Sequence, residues 1–186
     1  KKKKIEIIFS VPLIRYKIEN WDIAKKEIKN ALPNLTENLL IEDIYTDYFN
    51  QNENLPSYSD TVLKIIEPYL RLLSQNSCVY ITDMWFQTAL KGMKHTCHNH
   101  GLGWSAIIYI DFDEQKHIAT KFYSPFNDPF NNCIQSVIPK VKEGDMLIFP
   151  ANLTHECLPN TTDTPRTIIS FNLTNEKQSI KKVLFN

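Results

Sequence analysis

The chain is poor in glycine, with 4 residues in 186, and no apolar heptad is sustained along it, which excludes collagen, low-complexity disorder and coiled coil. Neither sign of charge dominates: Lys plus Arg and Asp plus Glu number 21 each. A nucleic-acid binder would need a basic stripe to neutralise phosphates, and a polybasic membrane-surface protein a cationic cluster, so the balance argues against both. No apolar stretch approaches the roughly 18 residues of a membrane span. Lys1–Lys4 followed by Ile5–Ile8 imitates a leader, but Glu6, Pro12 and Arg15 break the pattern and no small-residue cleavage site follows, so a first strand is the better reading. There is no C-x-x-C pair; Cys78, Cys97, Cys133 and Cys157 lie far apart, as expected of reduced thiols in a cytoplasmic protein. The N-x-S/T sequons at Asn34, Asn152, Asn160 and Asn172 arise easily by chance among 17 asparagines.

What is present describes one globular domain over 1–186, with 42% hydrophobic and 23% charged residues. Residues 1–76 read as an N-terminal strand and supporting helices. Ile23, Ala24, Ile28 and Ala31 have helical spacing over 21–31, closed by Pro33. Residues 36–48 are compatible with a short helix through Leu39, Leu40, Ile44 and Tyr48, and 49–57 form a polar loop. Over 60–74, Asp60 is placed to cap a helix whose stripe includes Val62, Ile66, Leu70 and Leu73, with a kink expected at Pro68. Residues 77–186 change to about nine short β-type runs separated by polar turns, among them VIPKV at 137–141 and KKVLF near the end. The expected fold class is mainly β (α+β): a double-stranded β-helix, a jelly-roll or cupin-like barrel, with the N-terminal helices packed on one side.

Three histidines carry the chemistry. On a strand, alternate side chains share a face, so His98 and His100 of His98-Asn99-His100 can point at one centre, and His155 arrives from a distant strand. Such a set holds a metal facially and leaves three coordination positions open. Gly144 starts an apolar strand, Pro150 ends it, and a tight turn leads to His155.

These motifs resemble the cupin superfamily. The run from Gly144 to His155 is similar to its second motif, with Asn152 in place of a glycine, and Gly92 followed by His98 and His100 is similar to the start of its first, which here lacks the expected Glu. A closer resemblance covers roughly the last 100 residues. Trp85, Gly92, His98, His100, Ser105–Tyr109, Phe122–Pro125, Glu143–Pro150, His155 and Arg166–Asn172 are similar in order and spacing to Fe(II)/2-oxoglutarate-dependent oxygenases of a small phage and marine-bacterial branch. Ala106-Ile107 replaces a Gly-Val, and Gln87 stands where an Asn often helps hold the cosubstrate.

The resemblance implies Fe(II) held by His98, His100 and His155, and 2-oxoglutarate oriented by Arg166, with Tyr109 and Ser170 in support. A guanidinium suits a carboxylate because it is always charged and forks bidentately onto it. It further implies hydroxylation of a small molecule, amino acid or peptide side chain by O2, with release of succinate and CO2. The usual triad of that family has Asp or Glu at the place of His100. Three-His iron is also the ligand set of thiol dioxygenases, and Asp111 or Asp113 could turn in as a carboxylate ligand. A jelly-roll module that recognises a sugar or a partner protein without turnover, with or without metal, is the remaining alternative. Lys121 is a candidate second carboxylate anchor against the plainer reading of a solvated lysine, and His95 and His117 read as a bystander and a surface residue. Trp85, Trp104 and Phe122 are candidate pocket walls, and the mouth loops are expected at 49–58, 101–104 and 124–135.

Overall fold

A computed structural model describes residues 9–50, 54–74, 79–175 and 182–185. In chain order these form β1 (Ile14–Lys17), α1 (Trp21–Ala31), β2 (Leu40–Ile41), β3 (Ile44–Thr46), α2 (Ser59–Ser74), β4 (Val79–Ala89), β5 (His95–His98), β6 (Trp104–Asp111), β7 (Lys121–Asn127), β8 (Ile134–Val137), β9 (Asp145–Pro150), β10 (His155–Cys157), β11 (Arg166–Thr174) and β12 (Lys182–Phe185). The strand expected at Ile5–Ile8 lies outside the described residues, as does Cys78.

Two antiparallel sheets make the double-stranded β-helix. The larger has the order β1-β9-β6-β11-β4-β3-β2, with β12 also pairing β4; the smaller has the order β5-β10-β7-β8. The strands β4, β6, β9 and β11 are nearly continuous apolar runs because both faces of the larger sheet are covered. One face carries Phe86, Ile108, Ile148 and Phe171 against Ile28 of α1 and Val62, Ile66 and Leu70 of α2. The other carries Ile107, Tyr109, Leu147, Phe149 and Ile168, which meet Phe122 of the smaller sheet inside the barrel. Each fully buried aliphatic side chain contributes about 1.5–3 kcal/mol, so the helices are held chiefly by this face.

The helices follow the 3.6-residue period, with corrections in detail. Ile23 of α1 is exposed, and the buried stripe is Ala24 and Ile28. The α2 helix starts at Ser59 with Asp60 in its first turn, and it runs on past Pro68 to Ser74. Residues 36–48 contain no α-helix: a 3₁₀ turn at Glu37–Leu39 leads into a hairpin whose strands pair Leu40 with Tyr45 and Ile41 with Ile44. Glu42 takes a left-handed conformation (φ 50°) at the tip, which a tight hairpin turn requires. The strand expected at 137–141 lies at Ile134–Val137 instead, since Pro139 has no N–H to give a ladder.

Candidate metal centre

Antiparallel pairing of β5 with β10 sets His98 directly opposite His155. Their ring centroids are 4.5 Å apart, and that of His100 lies 5.0 Å from His98 and 5.2 Å from His155. One ligand atom from each of the three lies within 4.8 Å of the others. The expectation that His98 and His100 share one strand is corrected: β5 ends at His98. His100 reaches the cluster from the following loop, where its N–H donates to the Ala151 carbonyl at 2.8 Å.

Local hydrogen bonds fix two of the imidazoles. Nδ1 of His98 lies 2.6 Å from the Thr96 carbonyl, and Nδ1 of His155 lies 2.8 Å from the Leu153 carbonyl. A carbonyl only accepts, so both rings carry the proton on Nδ1 and present the Nε2 lone pair. The His100 ring packs instead on Trp85, at 5.3 Å between centroids. Phe149 and Phe122 flank His155 at 5.0 and 5.9 Å. Burial pushes the imidazoles of His100 and His155 down to about 4 and about 3, with the neighbouring histidines adding to the fall, so both are neutral at pH 7. Three imidazoles, each with one nitrogen within 4.8 Å of the others', suit a first-row divalent ion such as Fe(II).

The carboxylate alternatives are turned elsewhere. Asp111 pairs with Lys25 at 3.1 Å and Lys29 at 3.0 Å on α1, and Asp113 pairs with Lys116 at 3.0 Å. Lys121 is bound to Glu156 at 3.3 Å and lies over the Tyr123 ring, which corrects its candidacy as a carboxylate anchor.

Arg166 opens β11 and is 4% exposed. Its guanidinium donates to the carbonyls of Ile118 at 2.7 Å and Leu158 at 2.6 Å and to Cys157 Sγ at 2.6 Å. Among the described residues no carboxylate pairs with it. A buried charge without its counter-ion is costly, so this position fits an incoming anion. Arg166 is thereby tied to β10 two residues beyond His155, about 6.8 Å of strand from the histidines. Tyr109 is buried beside it: its hydroxyl donates to Thr120 Oγ1 at 3.1 Å and accepts from the Thr120 N–H at 3.3 Å, and burial raises its pKa to about 12. Ser170 is 5% exposed, and its hydroxyl has no hydrogen-bond partner among the described residues. It sits between Trp85 and Ile107, four residues or about 13 Å of strand from Arg166, so it belongs to the end of the face nearer His100.

Residues read as uninvolved take up definite places. His95 lies 4.2 Å from the His98 ring and accepts at Nδ1 from Gln87 Nε2 at 2.9 Å. His117 is buried, not a surface residue: its Nδ1 accepts from the Asp113 N–H at 3.0 Å and its Nε2 donates to the Thr164 carbonyl at 3.0 Å, closing a loop. Trp104 packs with the helix-side core and not in the pocket. A cavity of about 250 Å³ opens beside His98 and His100, walled by Trp85, Gln87, Tyr48 and Phe49. Its rim comes from the β2–β3 turn and residues 94–100, and the 124–135 loop takes no part in it. Neither the hairpin nor Tyr48 belongs to a motif; only the polar loop at 49–57 hinted at a mouth there.

Residues 83–172, just under half of the chain, match the family described as "Putative 2OG-Fe(II) oxygenase", and the fold and the histidine cluster agree with this similarity to the 2OG-Fe(II) oxygenases. These are enzymes whose cofactors are Fe(II) and 2-oxoglutarate. Solved structures with the same fold include the epimerase SnoN of nogalamycin biosynthesis, at 13% identity over 87% of this chain and 77% of that one, with a TM-score of 0.62. HygX from Streptomyces hygroscopicus, solved with nickel and 2-oxoglutarate, is 12% identical over 88% and 82%, with a TM-score of 0.60. A Pseudomonas putida prolyl-4-hydroxylase is 14% identical over 88% and 93%, with a TM-score of 0.54. No curated protein sequence matches the chain. No described helix is long and apolar enough to cross a membrane.

Proposed function

We propose that the protein is a 2-oxoglutarate-dependent hydroxylase of a small molecule, amino acid or peptide side chain. The observation that carries this is Arg166, a buried guanidinium without an acid partner, fixed one strand repeat from three facing histidines. His98, His100 and His155 would hold Fe(II), and Arg166 would take the distal carboxylate of 2-oxoglutarate. Together, Fe(II) and 2-oxoglutarate supply O2 activation: substrate C–H, O2 and 2-oxoglutarate give the alcohol, succinate and CO2.

The chain's own groups position and exclude. After Nη1 donates to Ile118 and Nη2 to Leu158 and Cys157, Arg166 keeps its Nε–H and one Nη1–H, either of which can donate to a carboxylate in a charge-assisted bond. Tyr109 can swing its hydroxyl proton from Thr120 to the same carboxylate while still accepting from the Thr120 amide. Phe122, Phe149 and Leu147 keep water from the inner side of the site. Ser170 is free to donate nearer the histidines. Three neutral imidazoles leave the ion's two positive charges uncompensated, and a dianionic cosubstrate balances them.

The test is an anaerobic titration with Fe(II) and then 2-oxoglutarate. A visible metal-to-ligand charge-transfer band is expected only with both, and Arg166→Lys should weaken its 2-oxoglutarate midpoint by about 10–100-fold, the equivalent of one lost charge-assisted pair. Iron binding without any such band would instead support a three-His thiol dioxygenase.

A further inference from the structure

The cavity beside His98 and His100 has a composition that the iron and cosubstrate reading does not use. Tyr48 stands edge-on to the buried Trp85 at 5.0 Å and 72°, and to Phe49 at 5.0 Å and 89°, so Tyr48 and Phe49 display ring surface above Trp85. Phe49 is 68% exposed and Tyr48 41%, although burial of such rings is worth far more to folding than display. The opposite rim is acidic: the left-handed turn at Glu42 places Glu42 and Asp43 on the cavity wall, and the Asp43 carbonyl is tied to the Lys94 N–H at 3.1 Å. Lys94 is the one cationic side chain among the described residues of the wall, and its charge also acts on Glu156, outside the cavity. Asp83 adds to the negative field, holding the Tyr48 phenol up after burial has raised it.

The floor supplies a third feature. Gln87 is 6% exposed, lines the cavity and gives its amide N–H to His95. Its carbonyl oxygen then has no partner among the described residues. An unmatched buried acceptor is costly and calls for an N–H donor from a ligand. At about 250 Å³ the space is smaller than the roughly 300–1,000 Å³ of sites that enclose whole drug-sized ligands, so it fits a side-chain-sized group.

We propose that this cavity takes an organic cation, an alkylammonium or guanidinium group, seated against the Tyr48 and Phe49 rings, facing Glu42 and Asp43, and donating an N–H to the Gln87 oxygen. Aromatic faces attract such cations, the acids steer them, and the orphan acceptor orients them. The substrate class of the oxygenase is thus a basic amino acid or a basic side chain of a peptide; this step rests on the histidine cluster being the reaction centre.

The test is calorimetric titration of the protein, with and without anaerobic Fe(II) and 2-oxoglutarate, using Nα-acetyl-lysine amide and Nα-acetyl-arginine amide. Nα-acetyl-norleucine amide and Nα-acetyl-citrulline amide are the neutral counterparts. Each cation should bind about tenfold more tightly than its counterpart, a preference that Tyr48→Leu and the double change Glu42→Gln with Asp43→Asn each reduce to within about threefold. All three positions are surface-accessible, and unchanged circular dichroism would show that the variants fold. Free lysine against the blocked amide separates a free amino acid from a peptide side chain. Equal binding of the neutral compounds, or no binding of either cation, would overturn the proposal. A charge-transfer band with no cation preference leaves the oxygenase reading intact and removes this one; cation preference with no band does the reverse.

Discussion

His98 and His155 are direct cross-strand partners, 4.5 Å apart at their ring centroids, and each gives its Nδ1 proton to the carbonyl two residues before it. The same local turn of side chain onto backbone is used twice, on adjacent strands. It fixes both tautomers without a carboxylate and aims both Nε2 lone pairs into the space reached by His100.

From this geometry, His98→Ala and His155→Ala should each lower Fe(II) affinity by more than about 100-fold, beyond the usual cost of losing an orienting partner. His98 is the cleaner variant because its ring is only half-buried, whereas His155 packs against Phe149. Anaerobic calorimetry with Fe(II) reads the loss, and wild-type affinity in the His98 variant would remove it from the ligand set.

His100 is held by backbone and stacking, with no side-chain hydrogen bond among the described residues, so its position tolerates a change of ligand. His100→Asp would give two imidazoles and one carboxylate. Iron affinity should stay within about tenfold, since carboxylate and imidazole both suit Fe(II). The midpoint for 2-oxoglutarate should rise, because the dianion then meets one unit less positive charge. A tighter 2-oxoglutarate midpoint would show that the extra charge of the three-His site is compensated by the protein.

The loop after His100 depends on Gly103. Its φ is +91°, a Cβ there would lie 2.3 Å from the Leu173 carbonyl oxygen, and its own carbonyl accepts from the Ala151 N–H at 2.9 Å. Gly92 has φ +83° but open space around it. Gly92→Ala should therefore cost about 1–2 kcal/mol from backbone strain alone. Gly103→Ala should cost clearly more and also weaken metal binding through His100. Urea unfolding of the two variants checks the order, and equal costs would contradict the contact.

The legible parts of the chain are those where a local pattern and a tertiary demand coincide. Gly144 to His155 reads as strand, turn and ligand because the apolar run, Pro150 and the histidine are contiguous. His98 and His100 were legible as a pair through their spacing, although the strand ends between them. The pocket walls were hidden: Leu39, Leu40, Ile44 and Tyr48 fit a helical period, and what makes 40–46 a hairpin is pairing of Tyr45 with Thr88 of β4, 43 residues away. Asp47 is similar, a buried carboxylate accepting from Tyr58 Oη at 2.9 Å and the Phe86 N–H at 3.0 Å, which pins the Tyr48 turn to β4. No spacing rule marks such a residue. His117 escaped for the same reason, its partner carbonyl being 47 residues distant.

A last expectation concerns acid stability and lies away from the metal site. Glu143 accepts from Trp21 Nε1 at 2.9 Å, Lys25 Nζ at 2.8 Å and the Phe112 N–H at 3.3 Å, joining α1 to the turn before β9. Burial alone would push its carboxyl up, but these donors outweigh burial and hold it below the ordinary range of a glutamate. Asp111, paired with Lys25 and Lys29, is held low by the same balance. A carboxylate whose pKa is lower in the folded than in the unfolded chain stabilises the fold above the unfolded value, and that contribution is lost as pH falls through the folded one. The melting temperature of the wild type should therefore drop as pH falls below the ordinary carboxylate range, about pH 4, and Glu143→Gln should flatten part of that drop while lowering stability at pH 7. Differential scanning calorimetry across this range measures both. Parallel pH profiles for wild type and variant would show that the Glu143 cluster does not hold α1 in place.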